Sequence, residues 1–434
     1  MYIKNFKNAT YISKIGEGSQ ALVNKYQLNN GYVAVKNYFA TDTGDIDSGA
    51  VKEVVFLKQL VNCNEFNQVI DVDFIMNNND MILRIMTPYY SYDLEYFIKN
   101  TPNDIRLKNF DHVMTTLLKA LYTLHYRSII HCDIKPANIL MDNNFNVFLA
   151  DFGLSMVLPC DETKRQLPLR FVGSLLWNSP ELLTGNEYYT DQIDVWSLGI
   201  TMLEYIIKDT ITEPNMTFLN QYGNETSILY QIFTQCKPII NIDNDNYMLV
   251  KSNQLHAHLD IVKILNDYQV VVDNQVINLL TTMLQINPYD RLKITKFDYD
   301  VCPLVFDILP RGELHTDNNI NDYYIALLQM IRASDSFALN TGTCLMAIDV
   351  FERYIVHRYL PALKIYKIVA ATCLLLMAKI NEGINLDIEE MLDYYEHIFN
   401  GTSLKQMEMI VLKKMNYVLT SCELDDYLSY FNTR

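Results

Sequence analysis

The segment His131-Cys132-Asp133-Ile134-Lys135-Pro136-Ala137-Asn138, with Asp151-Phe152-Gly153 beginning thirteen residues after Asn138, constrains the fold of this chain more than any other feature. Both acidic residues follow apolar runs, Ile129-Ile130 before the first and Phe148-Leu149-Ala150 before the second. A carboxylate in such a setting is costly unless it is paired or binds a cation. The fold must therefore bring partners to Asp133 and Asp151. With Asn138 they make up a carboxylate, an amide and a second carboxylate, a set able to orient a hydroxyl and hold Mg²⁺ on phosphates, as phosphoryl transfer from ATP requires.

The remaining pieces stand in a consistent order. Ile15-Gly16-Glu17-Gly18-Ser19-Gln20-Ala21-Leu22-Val23 reads as a glycine-rich turn between two strands, where missing side chains let backbone N–H groups approach phosphate. Alone, Gly16 and Gly18 would be an ordinary hairpin turn. Val33-Ala34-Val35-Lys36 is a short β-type run ending in a lysine, and Glu53 lies in a helical stretch, 50–60, where it can pair with Lys36. Ser179-Pro180-Glu181, Asp194-Val195-Trp196-Ser197-Leu198-Gly199 and Asn287-Pro288-Tyr289-Asp290-Arg291 complete the set. Residues 1 to about 312 resemble the eukaryotic protein kinase family along their whole length.

That resemblance implies an α+β, bilobal fold with a small β-rich N-lobe, about 1–87, and a helical C-lobe, about 91–312. It implies ATP and Mg²⁺ as cofactors and a protein as substrate. Lys36 and Glu53 position ATP, Asp133 serves the acceptor hydroxyl, Lys135 steadies the γ-phosphate, and Asn138 and Asp151 hold the metal. Ile15, Gly16, Gly18, Val23 and Ala34 belong to the nucleotide site, with the adenine against Thr87-Pro88-Tyr89-Tyr90 and Asp93 near the ribose. Ser174 links the activation segment to Asp133 and Lys135, Asp194 braces the catalytic loop, Glu181 pairs with Arg291, and Gly153 completes its motif. Lys135-Pro136 resembles the serine/threonine branch. The alternative is a kinase fold without turnover, a scaffold whose C-terminal part recruits another kinase or a transcription or cell-cycle factor.

Composition sets limits. A chain of 434 residues is too long for one ordinary core, and half of it is hydrophobic. A formal net charge of −16 with no basic stripe argues against a nucleic-acid partner and favours basic or neutral substrates. The N-terminus has no apolar signal core and the longest apolar run, 368–378, is too short to span a bilayer, so an intracellular protein, cytoplasmic or nuclear, is expected. The eight cysteines form no C-x-x-C pair, and no zinc site is indicated.

After a polar stretch, 313–319, the chain reads as helices with almost no strand signal. Residues 365–378 are apolar nearly all round, and a helix without a polar face must be surrounded by others. Its neighbours 344–359, 387–399 and 403–417 are amphipathic, and 322–331 is the first helix of the set. Met346-Ala347-Ile348-Asp349-Val350-Phe351-Glu352-Arg353, Leu374-Leu375-Leu376-Met377-Ala378-Lys379 and Met407-Glu408-Met409-Ile410 resemble the second, third and fifth helices of a cyclin box. An all-α cyclin-like bundle over 313–434 follows. Lys379 and Glu408 match the lysine and glutamate by which cyclins bind their kinase; the plain alternative is a pair of solvated helix-end charges.

Ala50-Val51-Lys52-Glu53-Val54-Val55-Phe56-Leu57-Lys58-Gln59-Leu60 resembles the signature helix of cyclin-dependent kinases. Its apolar residues spread around most of the helix, more than one core-facing stripe needs, so something must cover the outer side. The C-terminal box is the expected cover, in cis or exchanged between two chains. A linker of about ten residues reaches roughly 33 Å when extended. The arginine clasp that holds a phosphothreonine in that family is replaced by Lys52, Cys132 and Met156, and Leu169 stands at the phosphothreonine position. Activation without segment phosphorylation is expected. Gly173 and Asn178 replace the valine and arginine of proline-directed kinases, which puts a preference for proline in doubt.

Overall fold

In the computed structural model, which describes residues 5–17, 21–29, 31–39, 47–61, 63–77, 80–127, 129–157, 173–186, 190–212, 224–238, 240, 244–251, 253–294, 320–355 and 362–419, the run containing Lys36 is a strand. Its β-branched and aromatic residues suit a pleated surface, and alternation sends successive side chains to opposite faces. Val33 and Val35 pack with Met86, Phe6, Tyr26 and Leu28 on one face. Ala34, Lys36 and Tyr38 occupy the other.

The chain divides into two compact units that do not follow its order: Met1–Asn62 with Gln68–Tyr89 and Cys302–Arg434, and Cys63–Asn67 with Tyr90–Val301. The first begins with one helical turn, α1 (Asn5–Asn8), and an antiparallel sheet of β1 (Thr10–Glu17), β2 (Ala21–Leu28), β3 (Gly31–Phe39), β4 (Asp71–Asn77) and β5 (Asp80–Pro88), in the order β1-β2-β3-β5-β4. Between β3 and β4 runs α2 (Ser48–Gln59), started by the Asp47 carboxylate accepting from the Gly49 N–H at 2.7 Å. Every residue from Ala50 to Leu57 is buried, Lys52 and Glu53 included. Each fully buried Val, Leu or Phe there stabilises the fold by roughly 1.5–3 kcal/mol.

The second unit holds the short strands β6 (Tyr92–Asp93), β7 (Ile129–Ile130), β8 (Ile139–Met141), β9 (Val147–Leu149), β10 (Met156–Val157), β11 (Cys236–Lys237) and β12 (His258–Leu259) among helices. These are α3 (Leu94–Asn100), α4 (Asn103–Tyr126), α5 (Pro180–Leu183), α6 (Gln192–Ile207), α7 (Asn224–Thr234), α8 (Asn244–Lys251), α9 (Ile261–Asp267) and α10 (Asn274–Met283). α6 is buried along nearly its whole length, as its all-round apolar sequence demands. The Tyr205 hydroxyl donates to the Arg106 carbonyl at 2.6 Å, tying α6 to α4.

The remaining helices of the first unit are α11 (Ile320–Ser336), α12 (Thr341–Ile355), α13 (Leu363–Met377), α14 (Ile388–Tyr394) and α15 (Gly401–Lys414). α13 is the buried one, surrounded most extensively by α11, α12 and α15, with α14 packed on α15. It runs into a wider π turn, Ala378–Glu382, closed by Gly383 at φ +68°. That turn packs on α2.

All five of these helices differ by a few residues from their expected bounds. α11 runs from Ile320 to Ser336 rather than over 322–331, and Ala333 and Ser334 in its added last turn are in the core. α14 stops at Tyr394 rather than 399: Glu396 and His397 take positive φ, which turns Tyr395 and Phe399 inward. The expected domain boundary at 312–313 and the linker lie outside the described residues. Among the described residues, no helix is long and apolar enough to cross a membrane.

Candidate active site

Strand register brings the expected nucleotide-site residues of the first unit together. Lys36 lies opposite Val23 on β2 and Ile85 on β5, and Ala34 opposite Lys25 and Thr87. Directly opposed residues share a face, so Val23, Ala34, Lys36 and Thr87 form one patch. Gly16 pairs with Val23, Ile15 is exposed beside it, and Gly18 lies outside the described residues. The Lys36 ammonium donates to Glu53 Oε2 at 2.8 Å.

Sequence reading missed a third member of this group. The Tyr38 hydroxyl donates to the same Glu53 oxygen, and the Lys36 ammonium sits 5.0 Å from the Tyr38 ring centre. The signal was available in principle: two residues past Lys36 on a strand is the same face. Nearby, the Tyr89 N–H donates to the Tyr32 carbonyl at 3.3 Å, and the Lys25 ammonium lies over both rings, 4.1 Å from Tyr32 and 3.8 Å from Tyr89. The Tyr89 side chain is thereby engaged by β2 and β3 of its own unit.

The second unit assembles the groups of the opening motif. β7 delivers the chain to residues 131–135, and the turn Pro136–Asn138 returns it into β8. Asp133 Oδ2 accepts from Lys135 Nζ at 2.9 Å and from Asn138 Nδ2 at 2.8 Å. Lys135 Nζ also donates to Ser174 Oγ at 2.6 Å. Asp133 Oδ1 is buried and accepts no hydrogen bond among the described residues. Asn138 Nδ2 also donates to the Asp133 carbonyl at 2.8 Å, which holds the amide against the loop.

Backbone geometry holds this cluster open. Cys132 and Asp151 both take positive φ, +67° and +64°. Asp194 accepts from the His131 N–H at 2.8 Å and the Cys132 N–H at 2.9 Å, which fixes the loop ahead of Asp133. Burial works to raise the Asp194 pKa, but hydrogen bonding and charge from His125, with His131, outweigh it and hold the carboxyl below its ordinary range. Phe152 is fully buried against Phe66 and His131, anchoring the chain beside Asp151, and Gly153 follows in a turn. Gly173 is at φ +90°, and a Cβ there would lie 2.3 Å from the Cys132 carbonyl oxygen, so no other residue fits.

The outer parts follow. Arg291 and Glu181 form a bidentate pair at 2.6 and 2.7 Å, buried on both sides. Tyr90 packs on Phe148 at 4.6 Å between ring centres. Asp93 caps α3 by accepting from the Tyr96 N–H at 2.7 Å; burial raises its carboxyl above the usual range against that hydrogen bond. Trp177 Nε1 donates to Glu204 at 3.2 Å, and burial pushes the Glu204 carboxyl up to about 7.

In the C-terminal helices, Lys379 Nζ donates to Glu408 Oε1 at 2.6 Å with both side chains at most 3% exposed. They are a buried pair, not solvated helix-end charges.

The family model of the protein kinase domain matches residues 9–298. The chain belongs to the protein kinase family. Behind the kinase domain it carries a cyclin-type domain, since the model of the cyclin N-terminal domain matches residues 314–420. Among the kinase relatives, cyclin-dependent kinase 1 of Encephalitozoon cuniculi is 33% identical over 207 residues, 45% of this chain and 66% of that protein. A serine/threonine-protein kinase of Saccharomyces cerevisiae is 30% identical over 203 residues, 45% of this chain and 62% of that protein. Cyclin-dependent kinase 12 of Drosophila melanogaster is 32% identical over 214 residues, 47% of this chain and only 18% of that protein. The kinase domain thus spans less than two thirds, in places under a fifth, of the relatives it matches.

Proposed function

We propose that this kinase-family chain is an ATP- and Mg²⁺-dependent serine/threonine protein kinase of cyclin-dependent type, with its cyclin-type domain acting on α2. The Asp133 carboxylate carries this reading: Lys135 and Asn138 fix one oxygen, and the other is buried and accepts no hydrogen bond among the described residues. A buried acceptor left open is costly, which is tolerable where a substrate hydroxyl completes it. Mg²⁺-ATP, when bound, supplies the transferable phosphoryl group and screens its charge. Asp133 Oδ1 orients and takes the hydroxyl proton. Lys135 holds positive charge beside that oxygen and draws Ser174 into the same network. Asn138 Oδ1 and Asp151 are the hard oxygen donors a magnesium ion requires. Lys36, held by Glu53, serves the α- and β-phosphates.

Packing of the 378–382 turn on α2 supports action by the cyclin-type domain in cis, with exchange between two chains as the variant of the same contact. Independence from phosphorylation has support of its own. Cys132 and Met156, at two of the clasp positions, close into an apolar cluster with Ile130, Ile193 and Leu182. Lys52, at the third, lies against Gly383, so near that a Cβ there would be 3.1 Å from Nζ. Leu169 lies outside the described residues. The acidic chain favours basic or neutral substrates.

The test is phosphate transfer from Mg²⁺-ATP to a generic basic protein by the full chain, beside Asp133→Asn and the double variant Lys379→Ala with Glu408→Ala. Transfer by the wild type, about 10²–10⁴-fold less in Asp133→Asn and sharply less in the double variant, is expected. No transfer by the wild type overturns the reading; full activity in the double variant removes the action of the cyclin-type domain. Gel filtration with activity measured across protein concentration separates cis contact from exchange.

A further inference from the structure

Where α15 ends, the first unit shows two contacts that neither the Lys379–Glu408 pair nor the 378–382 turn accounts for. The Lys58 ammonium, in the last turn of α2, lies 5.6 Å from the centre of the Tyr417 ring. The Lys413 ammonium, in the last turn of α15, lies 5.3 Å from the centre of the Phe74 ring on β4. Both distances fall within the roughly 6 Å over which a ring face attracts a cation. The pairs run in opposite senses: the kinase part gives the cation in one and the ring in the other.

We propose that the end of α15 is a second docking surface, in which Lys58 with Tyr417 and Phe74 with Lys413 match this cyclin-type domain to its own kinase lobe. The proposal rests on the reading that the box acts on α2, and it adds what makes the match particular. Packing of apolar residues on α2 is tolerant of partner; a cation over a ring is not, because a partner lacking either member leaves a desolvated ammonium or an unfilled ring. Tyr417 is buried, held at φ +63° where the chain turns off α15. Lys58 is partly buried, and that burial lowers its pKa despite the opposing charge of Asp71. The Asp71 charge offsets part of that cost, and the Tyr417 ring is the further attraction beside the ammonium. Lys413 is exposed, so its contact is the weaker, outer one. Crossing the senses also guards register: a box sliding along α2 would separate both pairs together.

Hydrogen exchange of the α2 amides in the full-length protein tests this, with the α13 amides as a check that the box stays folded. Lys58→Met or Tyr417→Leu is expected to speed α2 exchange about tenfold, the double variant no further than the larger single effect, and Tyr417→Phe, which keeps the ring, not at all. Lys413→Met is expected to give about a twofold to fivefold change and Lys413→Arg none. Wild-type protection in Lys58→Met, or single effects that multiply in the double variant, overturns the proposal. Lys379→Ala separates the two levels. If it exposes α2 while the Lys58 and Tyr417 variants do not, the box docks without this second surface; if none of these variants changes α2 exchange, docking itself falls and the second surface with it.

Discussion

At the scale of single residues, the site is a set of charges held in place by neutral neighbours. Glu53 would be a poorly determined partner for Lys36 if that contact were its only tether. The Tyr38 hydroxyl shares its oxygen, so the carboxylate is held from β3 at two points. In Tyr38→Phe, which preserves the ring, steady-state kinetics should show the KM for ATP raised several-fold, as expected for loss of one hydrogen bond to a charged group, with Tm nearly unchanged. A fall in Tm without a change in KM would assign Tyr38 to packing alone. Arg291 and Glu181 illustrate the opposite case, a pair whose members are each dangerous without the other. Arg291→Leu leaves a buried carboxylate and should lower stability by about 3–5 kcal/mol, read as an early transition in thermal unfolding. That Asp133, Lys135 and Asn138 stand together was legible in the sequence because their spacing is short and their chemistry unusual. Tyr38 was not, because a tyrosine on a strand says nothing of what its hydroxyl meets.

At the scale of elements, hydrogen bonds from α6 and its flanks fix the segment that follows Gly173. Ser197 donates to the Trp177 carbonyl at 2.8 Å, Thr212 to the Leu176 carbonyl at 2.7 Å, and Trp177 to Glu204. Glu204 binds a proton up to about pH 7 in the folded chain, against an ordinary value of 4.5. Because the folded state then binds more protons than the unfolded one, the stability contributed by neutral Glu204 is full below about pH 4.5. It is lost as pH rises through about 7. Glu204→Gln cannot ionise, so its stability relative to wild type should improve between pH 5 and pH 8 by up to about 3 kcal/mol. Denaturant titrations at the two pH values read this directly, and a pH-independent difference would show that the carboxylate is solvated. Helix existence was clear from periodicity, but the helix ends were not. α14 stops where Tyr395 and Phe399 turn into the core, and burial of that kind is a tertiary fact that periodicity does not encode.

At the scale of the whole chain, the N-terminal sheet and the C-terminal helices form one unit although some 210 residues of the other unit separate them in sequence, from Tyr90 to Val301. If an apolar cluster at Cys132 and Met156 replaces the phosphate clasp, phosphatase treatment of the purified protein should leave its transfer rate within about twofold. A large loss would mean that a phosphate is needed after all. The sequence by itself determined which chemistry-bearing groups are present, that one part is a kinase-type domain and the other a cyclin-type bundle, and that α2 has more apolar surface than its own lobe can bury. The groups present are read from residue types, the surplus of apolar surface on α2 from helical periodicity, and the two domain types from the resemblance of their motifs to known families. Only the tertiary structure decided that Tyr38 joins Lys36 on Glu53, that Lys379 and Glu408 satisfy each other, that one Asp133 oxygen is buried with no hydrogen bond among the described residues, and that Lys58 meets Tyr417. Each of those depends on which distant residue arrives beside a buried polar group, and that is settled by packing and desolvation rather than by spacing along the chain.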